Sequence, residues 1–414
     1  MIYLNRLMPL EGGLYQWAKL GFGELVGFLV AWNLWLYVIV LTSEIGLQVA
    51  TNLSYALGPD AAWLAGSKWF IALAGSGVIS GLMVVSALGL GVGKWIHNAG
   101  GLTMLLLFAA LLALPIASVA GGHPVPFSAL ARARPEISLL SVNILAKLGF
   151  GALGGFEYVA ILAGECKDPV RSISRSVLIA APIIAFMFIL GTSSVLFFVP
   201  PDEIDLIGPV PQVLSLGARP YGPIVRIVPL AILAVLGVRV AQASVNFTAN
   251  TRLPMVTGWD RLLPQWFTRL DPRHRTPINS ILFVGLMTLA MGIAGGAGVG
   301  QQEAYQLLQN AAGSFYALSY LVMFALPLFG LKGVEPRPPL LLKIAALSGL
   351  VMTLLYVVLS TFPIVKVESR ASFATKIAGV ILLANGVGTT FFFFAAGRRR
   401  AEGIGAPPDR RGAA

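Results

Sequence analysis

Ten apolar stretches, each near the roughly 20 residues that a helix needs to cross a bilayer, leave this 414-residue chain little freedom in how it folds. They run near 25–50, 69–93, 99–120, 138–163, 177–199, 222–247, 278–297, 304–330, 340–363 and 374–397. In hydrocarbon every backbone N–H and C=O must find a partner inside the protein, so stretches of this length become helices. Hydrophobic residues make up 57% and charged residues 11%, with a mean hydropathy of +0.81. Soluble chains carry about 25% charged residues. No segment between the spans is long enough for a soluble domain. The expectation is an all-α integral membrane protein with one transmembrane domain over 1–397 and a disordered basic tail over 398–414.

Charge sets the orientation, because loops on the cytoplasmic side collect Lys and Arg. With the N-terminus inside and the loops alternating, nineteen of the 29 basic residues fall inside. Seven fall outside: Lys68, Arg132, Arg134, Arg219, Lys366, Arg370 and Lys376. Both termini are therefore expected in the cytoplasm of a multi-pass cell-membrane protein. The net charge of +11 is accounted for by topology and by contact with membrane lipid, and not by nucleic acid. Met1 to Trp17 holds Arg6, Pro9 and Glu11 and lacks the apolar core of a signal peptide. The single cysteine, Cys166, rules out an internal disulfide and a multi-cysteine metal site. Between spans, 250–277 predicts a surface helix over Trp259–Phe267 and a turn at Asp271-Pro272, while 200–221 predicts irregular coil.

The fourth span differs from the others. LGFGALGGFEYVAILAGECKDPVRSISR, Leu148 to Arg175, puts Gly149, Gly151, Gly154 and Gly155 in mid-span and follows them with an acid, Glu157. Glycine is a poor helix former, so the helix should unwind there. Unwound backbone at membrane depth is tolerated only where it lines a cavity or is covered by protein. An acid at that depth costs about 2.5–3.5 kcal/mol on insertion scales and needs a partner, a proton or a cavity. The expected site is Gly151, Ala152, Leu153, Gly154, Gly155, Phe156 and Glu157. Free carbonyls at the break would receive a substrate ammonium, and the half-helix N-terminus beyond it would face an anion.

Three segments resemble one family. LGFGALGGFEYVAILAGECKDPVRSISRSV is similar to the sixth helix of amino acid–polyamine–organocation permeases, with its glycine-rich break, its acid and its DP-x-R loop. NTRLPMVTGWDRLLPQWFTRLDPRHRTPINS (Asn250 to Ser280) resembles the loop after that family's eighth helix. MPLEGGLYQWAKLGFGELVGFLVAWNLW (Met8 to Trp35) resembles the P-x-x-GG-x-Y segment before the third. The resemblance implies a leucine-transporter-like inverted-repeat fold and a secondary transporter of amino acids or related organic cations, polyamines being the alternative. It implies no cofactor, and a proton or sodium ion as a coupling partner. It also implies twelve helices, so the first two are expected to be missing and the first repeat incomplete. A shortened, non-transporting relative is thus the rival reading. Some proton-coupled relatives carry a lysine on the helix matching 99–120, a span with no ionisable residue here. Where several relatives place an aromatic lid before the break, this chain has Gly151, with Phe150 adjacent.

Other intramembrane polar residues have several readings. Arg239, Gln242 and Asn246 share a helix face on the 222–247 span, and a count of depth predicts a Glu157–Arg239 pair. The same count puts Glu44 beside Lys147. Thr42 and the stripe Gln306, Asn310, Gly313, Tyr316, Tyr320 could line the cavity, although such residues are more often packing glue between helices. Gly89 to Lys94 lacks the spacing of a phosphate loop. His97, His123 and His274 lie in three separate loops, which argues against a histidine metal site. Asp168 and Arg171 read as a loop turn. An enzyme would need His, Asp, Ser or Cys gathered on one face, and no such set is seen.

Overall fold

The computed structural model describes residues 1–122, 137–152, 154–200, 203–294, 301–331, 334–364, 367 and 369–402. The first helices are α1 (Ile2–Leu7), α2 (Leu14–Phe22), α3 (Glu24–Ser43), α4 (Ile45–Leu57), α5 (Trp63–Gly66), α6 (Lys68–Leu88) and α7 (Leu90–Ala120). There follow α8 (Leu139–Ala152), α9 (Phe156–Ile161), α10 (Pro169–Phe198), α11 (Pro209–Gly217), α12 (Gly222–Val225) and α13 (Val228–Asn250). The last are α14 (Leu253–Trp259), α15 (Ile278–Ala294), α16 (Gln301–Ala325), α17 (Leu340–Leu359) and α18 (Arg370–Ala401). No strand occurs among the described residues. Nine helical segments there are long and apolar enough to span a membrane, and α15 is a shorter apolar tenth over Ile278–Ile293. Residues 295–300, which would complete the expected 278–297 span, lie outside the described residues.

Burial separates the spans into two kinds. The segment Glu24–Leu57 and the segment Glu303–Gly330 are each 56% buried over their apolar windows, whereas the other spans are 11–22% buried. The first pair is the centre of the bundle. Helix α3 packs against α2, α15, α16 and α18, and α13 packs against α4 and α7. The outer spans turn Leu, Ile, Val and Phe outward, as at Leu382, Leu383 and Phe394 on α18, which is what a lipid-facing helix requires.

Polar pairs fix the helices at the centre. Asn33 and Asn385 exchange side-chain amide hydrogen bonds at 2.7 and 3.2 Å, and the Trp32 indole donates to the Ala384 carbonyl at 2.9 Å. Together they tie α3 to α18. At the end of the bundle that carries Lys19, Asp260 accepts from Tyr15 Oη and pairs with Lys19 Nζ at 2.7 Å. Beside it Arg399 pairs with Glu24 at 2.5 Å and donates to the Asp260 carbonyl at 3.1 Å. Five residues from three separate parts of the sequence thus close this basic face.

Several expectations need correction. The first span is interrupted at Glu44, which separates α3 from α4. The 222–247 span starts later, as α13, because Pro229 sits in its first turn, where its missing N–H costs nothing. Residues 203–221 are not all coil: α11 forms there behind Pro209 and buries Val213 and Leu214. The helix placed at Trp259–Phe267 instead ends at Trp259, and a single 3-10 turn follows over Gln265–Thr268. The turn at Asp271 is present, with its carboxylate accepting the backbone N–H groups of Arg273 and His274. The disordered tail does not begin at Arg398, since α18 runs to Ala401 and Arg399 is buried; residues 403–414 lie outside the described residues.

The crossing of α4 and α6 depends on having no side chain at one point. A Cβ on Gly46 would lie 2.2 Å from the Ile71 carbonyl oxygen, and one on Gly75 would lie 3.2 Å from Gly46 Cα. Backbone cannot yield as a side chain can, so overpacking here should cost at least the usual ~1–3 kcal/mol. Gly46→Val is expected to give little monodisperse protein on gel filtration in detergent, while Gly77→Val, where a Cβ meets nothing within 4 Å, is expected to elute as the natural protein does.

Candidate substrate site at a broken helix

The break lies where the glycines place it. Helix α8 stops at Ala152 and α9 starts at Phe156. Gly155 has φ of +100°, in the left-handed region open to glycine at no steric cost. Gly154 is constrained differently: a Cβ there would come within 2.8 Å of the Tyr316 ring. The Gly154 N–H reaches back to the Gly151 carbonyl at 3.5 Å, and the Gly155 N–H donates to the Tyr316 hydroxyl oxygen. Gly151 is exposed, and Ala152 and Phe156 are half-buried. Leu153 lies outside the described residues.

Glu157, in the first turn of α9, is fully buried. Its carboxylate is held by two phenols of one helix, α16. Tyr316 Oη donates to Oε1 at 2.6 Å, and Tyr320 Oη donates to Oε2. Tyr316 therefore does two jobs, accepting from the opened backbone and donating to the acid. Other aromatic rings surround the pair. Tyr37 of α3 stacks on Tyr316 with centroids 4.3 Å apart, and Phe150 meets Tyr316 edge-on at 5.7 Å and stacks on Tyr356 at 4.4 Å. The result is one acid, enclosed by aromatic rings, at a helix break between α3 and α16.

Arg239 does not reach this acid. Both carboxylate oxygens of Glu157 are occupied by tyrosines, and the neighbouring Tyr158 lies by Asn250. Asn250 is eleven residues further along α13 than Arg239, about 16 Å at 1.5 Å per residue. Counting depth from span ends failed because α9 is a short half-helix whose height is set by the break. Arg239 instead lies within electrostatic reach of Glu44 and Tyr305. Gln242 is exposed on the outside of α13, so the proposed polar stripe does not face the site.

Glu44 centres a second buried polar group. Its Oε1 accepts from Gln48 at 2.6 Å and from Gln309 at 2.7 Å, and Gln309 also donates to Tyr305 at 3.2 Å. Thr42 is buried two residues earlier on α3. Lys147 is not its partner; Lys147 donates to the Phe362 carbonyl at 3.4 Å, alongside Asn143 at 2.9 Å. Asn310 of the expected stripe binds the Ser360 carbonyl at 2.7 Å, a packing contact. Its later members Tyr316 and Tyr320 are the two that hold Glu157. Asp168 caps α10 by accepting from the Arg171 N–H at 3.0 Å. Among the described residues no three His, Cys, Asp or Glu side chains gather as a metal site would need; His97 contacts Ser244 and His274 contacts Asp271, and His123 lies outside those residues.

Sequence reasoning marked Phe150 only as the aromatic neighbour of Gly151 and missed Tyr37 and Tyr356 as walls of the site. Those two sit in apolar spans with nothing local to distinguish them from core. The i, i+4 spacing of Tyr316 and Tyr320, facing a site that needs two donors for one carboxylate, was the available signal.

Loss of the Tyr316 hydroxyl removes two hydrogen bonds, one from the Gly155 N–H and one to Glu157 Oε1, each worth about 0.5–3 kcal/mol. Tyr316→Phe is expected to lower the thermal unfolding midpoint in detergent clearly more than Tyr320→Phe, which loses only the bond to the Glu157 carboxylate. Equal shifts would show that the bond to Gly155 contributes nothing.

The sequence profile described as amino acid permease matches residues 1–383. An uncharacterised transporter of Legionella pneumophila is 22% identical over 80% of this chain and 70% of its own length. Large neutral amino acids transporter small subunit 2 of Mus musculus is 24% identical over 87% of this chain and 65% of its own. The chloroplastic cationic amino acid transporter 7 of Arabidopsis thaliana is 22% identical over 69% of this chain and 50% of its own. These relatives are named as transporters and not as enzymes. With nine helices among the described residues long and apolar enough to cross a membrane, and a match over nearly its whole length, this chain is a multi-pass membrane transporter that belongs to the amino acid permease family of the amino acid–polyamine–organocation superfamily.

Proposed function

We propose that this transporter moves an amino acid, or a related organic cation, across the cell membrane by alternating access. In this reading both ends of the chain and the basic face closed by Lys19, Asp260 and Arg399 are cytoplasmic, as the distribution of Lys and Arg favours. The substrate site is the segment Gly151 to Glu157 together with Tyr316 and Tyr320. The observation that carries the proposal is Glu157, an acid enclosed at a helix break with both oxygens occupied by phenols. A substrate ammonium would take the place of the Tyr320 hydroxyl on the carboxylate, exchanging a neutral donor for a charged one, which bonds about twice as strongly. With no substrate present the acid keeps its two donors. A proton is the simplest coupling ion for such a group. Relatives named for large neutral and for cationic amino acids support an amino acid over a polyamine. Alternating access would require the contacts of Asp260 and Arg399 to part, and these join α2, α3, α18 and the loop after α14.

The test is uptake of radiolabelled leucine, arginine and spermidine by liposomes holding the purified full chain. Saturable uptake of leucine or arginine is expected, with Glu157→Gln lowering it tenfold or more, the usual scale for losing one partner of a buried charge contact, about 2–5 kcal/mol. Uptake of spermidine alone would favour the polyamine reading. Uptake no faster than in empty liposomes for a wider set of amino acids would leave a non-transporting protein of permease ancestry.

A further inference from the structure

An apolar cavity of about 290 Å³ opens between α3, α14, α15, α18 and the loop after α14. Half of its lining residues are aromatic: Phe28, Trp32 and Trp35 from α3, Phe267 and Phe283 from the loop and α15, and Phe391 from α18. Phe391 is 38% exposed on the flank of α18, a face otherwise turned to lipid, so the cavity is reached from the bilayer. Leu263 lines this cavity and also a small polar one of about 60 Å³ beside it, whose charged residues are Arg261, Arg398, Arg399 and Glu402. Three cations there face one anion.

The vertical order of the two cavities matches that of a lipid. Arg399, in the polar cavity, is bonded to Glu24 at the first turn of α3. Phe28 and Trp35 lie four and eleven residues further along the same helix, about 6 and 16 Å at 1.5 Å per residue. A charged level thus sits above an apolar slot that runs into the hydrocarbon. The slot is at the lower edge of the size range for small-molecule pockets, roughly 300–1,000 Å³, and suits one segment of a chain whose remainder lies outside. Arg261 holds a left-handed backbone, φ of +56°, where Gly or Asn would be unstrained, and it keeps a cation at the rim.

We infer that this is a binding site for one anionic glycerophospholipid, with an acyl chain in the aromatic slot and the headgroup phosphate at Arg261 and Arg398. Arg399 is committed to Glu24 and to the Asp260 carbonyl, and the Arg398–Glu402 contact, at 3.4 Å and well exposed, is the one a phosphate would displace. A lipid bound here would bridge α3, α18 and the loop carrying Asp260, all three of which meet at the basic face. The inference rests on the spanning helices and not on what is transported.

The test uses the purified full chain in detergent and reads tryptophan quenching by phosphatidylglycerol or phosphatidylcholine with brominated acyl chains. Half-maximal quenching is expected at about tenfold lower mole fraction of phosphatidylglycerol, since each nearby arginine favours an anionic headgroup. Arg261→Ala with Arg398→Ala should abolish that difference, and Trp32→Phe with Trp35→Phe should remove most of the saturable quenching. Excess glycerol phosphate should not compete. Equal quenching by the two lipids in the natural protein overturns the site, and this comparison needs no variant to fold. Competition by glycerol phosphate alone overturns it too, leaving an anion site with no lipid. A preference that survives both double variants places the lipid elsewhere and rejects the assignment.

Discussion

Opening a helix inside hydrocarbon exposes backbone groups that no water can satisfy, and the centre of this protein is arranged around one such opening. The Gly155 N–H is released by the break and taken by the Tyr316 hydroxyl, which in turn holds Glu157. A single phenol serves both a backbone donor released by the break and a buried carboxylate. Because Tyr316 is on α16, the break is stable only when α16 stands against it. Because Tyr37 stacks on Tyr316, α3 must stand there as well. The heavy burial of just these two segments follows from that requirement.

Networks of this kind strengthen each bond while raising the cost of any missing one. Glu157, Tyr316 and Tyr320 form a set in which each polar hydrogen has an acceptor, and the surrounding rings exclude water. A substrate cation entering such a set has to replace a bond as it forms its own, which makes selectivity a matter of exchange. The Glu44 group is built more loosely: one oxygen accepts two amides and the other is buried without a hydrogen bond among the described residues. Two acids at two helix interruptions therefore have different surroundings, one closed by phenols and the other by amides.

The basic face shows the same economy on a larger scale. Asp260 offers its carboxylate to Lys19 and Tyr15 and its carbonyl to Arg399, which also pairs with Glu24. Removing one partner of a partly desolvated contact of this sort costs more than the 0–1 kcal/mol lost with an exposed ion pair. These contacts also connect the end of α18 to the start of α3, next to the aromatic slot and its arginines. Opening of this face and occupancy of that slot would act on the same helices.

Sequence alone determined that the chain is a bundle of membrane helices, that one of them is broken within the glycine run Gly149 to Gly155, and that Glu157 is the acid to watch. These follow from local physics: apolar length, the weakness of glycine in helices and the cost of a buried charge. The tertiary structure decided who meets whom. Counting residues gives depth along a span and says nothing of the direction a helix faces, so it paired Glu157 with Arg239 and Glu44 with Lys147, and both pairings failed. It could not show that Gln242 faces outward, that Tyr37 and Phe150 wall the site, or that Arg399 belongs to a buried contact and not to a free tail. The walls at Tyr37 and Phe150 and the contact of Arg399 each join residues more than a hundred positions apart, which only the packing of α3, α8, α16 and α18 brings together.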